Sequence, residues 1–181
     1  MAERAFDDPE REERRQRALG HVRQFGDPVL RTPASPIEVF DDALRDEAER
    51  MVELMVEARG VGLAAPQIGR LRRLIVIQPE PEGSAVALVN PQITWRSEEE
   101  ESGQEGCLSI GEIVVPVSRA VSIHVHAQDV SGEPVEIDAE GFVARVIQHE
   151  VDHLDGILII DRTGPEERKE ALRQLREQTS V

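Results

Sequence analysis

Residues 141–155 read GFVARVIQHEVDHLD, and as a helix they set an unusual condition on any fold that contains them. A helix advances about 100° per residue, so with His149 at zero His153 falls at about 40°, Phe142 at about 20°, Val146 at about 60° and Glu150 at about 100°. Val143, Leu154, Ile147 and Val151 continue this arc to about 200°, and Arg145, Gln148, Asp152 and Asp155 take the remaining side. Both histidines and Glu150 are therefore expected to point into the core, and the four other polar residues away from it. A carboxylate in an apolar arc is costly unless it is paired, protonated or beside a cation. Two histidines four apart with a glutamate next to the first form the HExxH pattern of a metal-binding helix, and a cation there removes the difficulty. A desolvated glutamate beside it has the raised pKa that a general base needs.

The rest of the chain has to surround that helix. With 181 residues it suits one domain, and with aromatics at only 3% its core falls to Val, Ile, Leu and Ala. Residues 1–20 read as a charged N-terminal extension with a short helix starting at Asp8-Pro9-Glu10, and 21–181 as a single catalytic domain led in by an extended segment, 21–31. Residues 41–59 place Leu44, Ala48, Met51, Met55 and Ala58 on one helical stripe, closed by Gly60. GVGLAAPQIG (60–69) fits neither regular element. Strands are expected at 73–78, 85–90 and 92–97, then an acidic solvated loop at 97–106, then strands from 113 to 137. Within these, 121–130 alternates, so His124 and His126 share a polar, solvated face with Ser122 and Gln128 before a hairpin turn at 131–133. A second, exposed and charge-laced helix occupies 164–178. The expected fold class is α+β, with antiparallel sheets packed around a central HExxH helix and a C-terminal helix.

Two histidines do not complete a catalytic metal centre. The extended pattern HExxHxxGxxH fails here, because Gly156 fits but Ile159 stands where the third histidine belongs. A downstream glutamate is available at Glu166, Glu167 and Glu170, but these sit among Arg168, Lys169 and Arg173 and read as surface pairs. Cys107 remains. A free cysteine is ordinarily a small buried hydrophobe, yet it follows a glycine after the acidic run, and Cys with two His suits zinc or ferrous iron. Three such ligands leave a fourth position for water.

GVGLAAPQ (60–67), EGCLS (105–109) and QHEVDHLDG (148–156), in this order and spacing, resemble the three signature motifs of peptide deformylase. GDPVLR (26–31) and EGFVARVIQHE (140–150) extend the likeness over about residues 20–162. The resemblance implies a hydrolase that removes the formyl group from the N-terminal formylmethionine of new polypeptides. Cys107, His149 and His153 would hold one divalent ion, ferrous iron in the cell, with zinc, nickel or cobalt in purified protein. Glu150 would act as general base, and the Gln67 amide and Leu108 backbone N–H would donate to the formyl oxygen. Gly60 and Gly62 would let an extended peptide lie close to the backbone. Val61, Phe142 and Val146 would line an apolar pocket for the methionine side chain. An ion pair between Glu105 and Arg119 is expected behind Cys107. The C-terminal helix is similar to that of a bacterial subgroup. Gly111 stands where the family has proline and Val114 where some members carry a basic residue, which leaves room for a paralogue or small metallo-amidase acting on another acylated peptide.

Charge narrows the partners. A net charge of −15, from 36 acidic and 21 basic side chains, opposes a grip on nucleic acid or an anionic membrane. No segment approaches the ~18 apolar residues of a membrane span, and residues 1–20 hold no apolar core of a signal peptide, so a cytoplasmic monomer is expected. Helix 164–178 balances Arg168, Lys169, Arg173 and Arg176 against Glu166, Glu167, Glu170 and Glu177, so ribosome contact through it is expected to be weak or absent.

Overall fold

Two antiparallel sheets enclose the HExxH helix in a computed structural model that describes residues 8–80 and 82–179. The helices are α1 (Pro9–Leu19), α2 (Asp42–Glu57), α3 (Gly141–Leu154) and α4 (Pro165–Thr179). The strands are β1 (Gly62–Ala64), β2 (Leu74–Ile77), β3 (Val86–Arg96), β4 (Glu100–Gly106), β5 (Val114–Ala120), β6 (Ser122–Gln128) and β7 (Pro134–Glu140). One sheet runs β1-β2-β3-β6-β7, and β4 pairs with β5 in a separate hairpin.

The five-stranded sheet packs Ile75, Leu88, Ile123 and Val125 against Val146, Ile147, Val151 and Leu154 of α3. On its other flank β1 and β2 meet α2, whose Leu44, Ala48, Met51 and Met55 are buried in the expected stripe together with Ala58 just past its end. Asp41 caps α2 by accepting from the Leu44 N–H at 3.0 Å. The left-handed residue that ends α2 is Arg59, at φ 59°, rather than Gly60, whose N–H donates to the Met55 carbonyl at 2.9 Å. A third cluster joins Ile110, Val115, Val117 and Leu158 to Ala171 and Leu175, so α4 is docked along one side rather than wholly exposed. α1 is exposed except near its end, where Ala18 packs with the α2 cluster, and the first seven residues of the expected extension lie outside the described residues.

Several local expectations need correction. The two strands expected in 85–97 are one, β3, because a register shift at Asn90 and Pro91 absorbs the break. Asn90 takes φ 51° there, and its amide exchanges two bonds of 2.8 Å with the Ile37 backbone. Residues 60–69 are not irregular: they form β1 and a turn of 3₁₀ helix, Ala65–Ile68. The lead-in is not wholly extended, since Asp27 accepts from the Val29 N–H and starts a 3₁₀ turn at Pro28–Arg31.

The expected acidic loop is β4, in register with β5 from Glu100↔Ala120 to Gly106↔Val114. Most of its polar residues face solvent, as a hairpin edge allows, but Glu105 turns inward. That hairpin overturns the reading of α3. Gln148 and Asp152, expected to face away from the core, are only 5% and 7% exposed, because β5 covers their side of the helix. Phe142, expected inside, is 54% exposed at the first turn.

Candidate active site

Cys107, His149 and His153 converge at the end of β4. The i,i+4 spacing stacks the two imidazoles edge to face with centroids 5.0 Å apart. β4 ends at Gly106 and delivers Cys107 Sγ to 3.3 Å from His153 Nε2. One donor atom from each of the three residues lies within 4.8 Å of the other two. Cys107, His149 and Glu150 border a cleft of about 300 Å³ that is also lined by Gly60, Val61, Gly62, Gln67, Leu108, Phe142 and Val146, while the fully buried His153 joins the group through its contact with Cys107. The expected ligand, base, donor and pocket residues therefore gather in one place, with Val61 and Phe142 exposed.

Each side chain is held. Gln67 accepts from the Ala64 N–H at 2.9 Å, which turns its amide nitrogen toward Ser109 Oγ at 3.1 Å and Cys107 Sγ at 3.6 Å. The lead-in segment pins both loops: the Arg23 N–H donates to the Gln67 carbonyl at 2.6 Å and the Phe25 N–H to the Ser109 carbonyl at 2.7 Å. Glu105 takes both arms of Arg119 at 2.9 Å, Arg145 Nη1 at 2.8 Å and His149 Nδ1 at 3.0 Å. The last bond leaves His149 Nε2 with its lone pair for a cation, the usual way a carboxylate fixes a liganding histidine. Arg119 also bonds Asp152 at 2.5 Å, and Asp152 receives Arg162 at 2.7 Å.

The electrostatics follow from burial and these partners. Burial works to raise the Glu105 pKa, but hydrogen bonds from His149 and Arg119 prevail and hold it at about 2. Burial works against a protonated His149, yet its bonds to Cys107 and Glu105 raise its pKa, so the surroundings favour positive charge at that point. Burial depresses His153 and keeps it neutral, with a lone pair to offer. Burial also lifts Glu150 to about 7, and its Oε2 has no partner among the described residues. Gly62 makes the room for this carboxylate, since a Cβ there would stand 2.3 Å from Glu150 Oε1.

Asp152, Arg145, Arg162 and Ser109 were not found from the sequence. The i,i+4 pair of Gln148 and Asp152 was the available signal, a second polar stripe on a helix whose first was already buried. Gly111 borders the cleft with φ +66°, a left-handed conformation that suits glycine and that proline cannot adopt.

The family model described as Polypeptide deformylase matches residues 20–169. The peptide deformylase of Thermotoga neapolitana is 50% identical over 147 residues, 81% of this chain and 88% of that protein. That of Acidothermus cellulolyticus is 47% identical over 160 residues, covering 88% of this chain and 87% of its own. A crystal structure of a peptide deformylase from Legionella pneumophila superposes with a TM-score of 0.83 at 39% identity, covering 88% of this chain and 94% of that one.

Glu105→Gln keeps the shape of the side chain and removes the charge that fixes His149. Chelator competition is expected to show metal affinity reduced about 10- to 100-fold with the fold retained. Unchanged affinity would show that Glu105 does not orient the ligand.

Proposed function

The chain belongs to the peptide deformylase family, and from that premise we propose how its cleft works. The protein is a metal-dependent hydrolase that removes the formyl group from the N-terminal formylmethionine of newly synthesised polypeptides and releases formate. The observation that carries the reading of the site is the convergence of Cys107, His149 and His153 at a cleft that also holds buried Glu150, whose Oε2 has no partner among the described residues.

The donor set fits a divalent cation. A thiolate and two imidazoles suit zinc or ferrous iron, and the surroundings already favour positive charge at His149. In our reading these three residues hold the ion, which is ferrous iron in the cell. When bound, the ion acidifies a water and polarises the formyl carbonyl as a Lewis acid. Glu150, buried in the same cleft, takes the proton from the attacking water. Gln67 Nε2 and the Leu108 N–H donate to the formyl oxygen as negative charge builds there. Glu150 then gives its proton to the peptide nitrogen as the C–N bond breaks, so formate and a free amine leave. The peptide lies as an added strand along β1, which is the outer strand of its sheet, with Gly60 and Gly62 allowing close approach. Val61, Phe142 and Val146 receive the methionine side chain.

The catalytic unit is read as one domain over 21–181, with α1 docked on it. No helix among the described residues is long and apolar enough to cross a membrane. The protein is read as a cytoplasmic monomer, and the balanced charges of α4, where Arg173 is tied to Glu170 and Glu177, with the net charge of −15 support weak or absent ribosome contact and no nucleic-acid grip.

After anaerobic purification and reloading with ferrous iron, formate release from formyl-Met-Ala-Ser is expected to exceed that of zinc-loaded protein. Glu150→Gln keeps the ion and loses about 10²- to 10⁴-fold in kcat. Its acid limb is informative as well. A base held at about 7 by burial, and lower beside a cation, loses activity as pH falls through its pKa. A fully active Glu150→Gln removes Glu150 as the base. On a low-salt sucrose gradient the protein is expected to stay in the monomer fraction, and salt-sensitive co-sedimentation with ribosomes contradicts the reading of α4.

A further inference from the structure

The outer face of β6 and β7 carries a second group of metal-ligand side chains, none of which lines the cleft. His124 and His126 alternate onto one face of β6, and the register sets Asp138 opposite His124 and Glu136 opposite His126. The four side chains thus form two adjacent cross-strand pairs on one surface. Glu136 Oε2 lies 2.7 Å from His124 Nε2 and 2.9 Å from His126 Nε2. Donor atoms of His124, His126 and Glu136 all lie within 4.8 Å of one another. Asp138 Oδ1 is 2.6 Å from His124 Nδ1, a contact that fixes the ring and leaves Nε2 facing Glu136.

We propose that His124, His126 and Glu136 bind a second divalent transition-metal ion, of the zinc or nickel class, with water completing its coordination. The donor set is two imidazoles and a carboxylate, a combination these ions favour. Asp138 acts as a positioning residue, in the same way that Glu105 acts on His149 in the cleft. The backbone is firm, because β6 lies between β3 and β7 in the sheet, so the donors are brought together by register rather than by loop closure. An ion bound there takes the place of the direct contact between His124 and Glu136, and ties the outer strand β7 to its neighbour.

A built-in reporter is present. Trp95 is the only tryptophan, the chain has no tyrosine, and Trp95 is the register partner of His124 on β3. Cross-strand partners have Cβ atoms about 5 Å apart, close enough for a paramagnetic ion at His124 to quench the indole.

The test titrates Ni²⁺ into the intact protein, with bound metal counted after equilibrium dialysis and Trp95 fluorescence followed. The wild type is expected to hold two equivalents, with Trp95 quenched. The double variant His124→Ala/His126→Ala holds one equivalent without quenching and keeps its formate release, which reports an intact fold. Cys107→Ser loses the cleft equivalent yet keeps the quenching. Asp138→Asn shifts the quenching midpoint about tenfold to higher Ni²⁺. A wild type that binds a single equivalent, or a double variant that still binds two or is still quenched, overturns the proposal.

Discussion

The cleft depends on one buried ion pair, Glu105 with Arg119. Glu105 lies two residues before Cys107 on β4, and Arg119 lies on the paired strand β5. Through Arg119 the hairpin is joined to Asp152 of α3, and through Glu105 it reaches His149 on the same helix. The strand that leads into Cys107 and the helix that carries His149 and His153 are therefore locked together by charge as well as by packing. Buried ion pairs are poor evidence of stability, since desolvation offsets much of their attraction, but losing one partner leaves a charge that costs about 3–5 kcal/mol. What the pair provides is orientation. Asp152 with Arg162, and Arg145 with Glu105, extend the network so that each buried charge meets an opposite one.

Against that closed network, Glu150 stands apart. Its neighbour His149 is bonded to Glu105, and its own Oε2 has no partner among the described residues. The same helix thus carries two solutions to buried charge: Asp152 is neutralised by two arginines, while Glu150 is left with a pKa near 7, able to gain and lose a proton at ordinary pH. Gly62 is what permits this, since any side chain there would displace the carboxylate. The cleft and the edge strand β1 share a border as well, because Gly62 begins β1, so the place proposed for the approach of a peptide backbone is also the place where Glu150 is accommodated.

Much of this was legible in the sequence because it rests on periodicity and short-range chemistry. The α2 stripe, the inward arc of His149, Glu150 and His153, the β6 alternation and the α4 charge pairs all follow from residue spacing. The failures share one cause, which is that partners distant in sequence decide burial. The run at 97–106 looks like a loop because its acidic residues suit solvent, and only its pairing with β5 makes it a strand. Once that strand is missed, the polar side of α3 looks solvated, and Gln148, Asp152 and Arg145 lose their roles. In β3, Asn90 and Pro91 look like a break because the bulge that absorbs them depends on Ile37, more than fifty residues away.

The proposed centre is a single ion held at the cleft by the Cys107 sulfur, which follows β4, and the two imidazoles of α3. X-ray absorption on protein loaded with one equivalent of zinc tests it directly. The account predicts one sulfur at about 2.3 Å and two imidazole nitrogens at about 2.0–2.1 Å, with an oxygen completing the set. A first coordination sphere without sulfur, or with a third protein nitrogen in place of the oxygen, would contradict it.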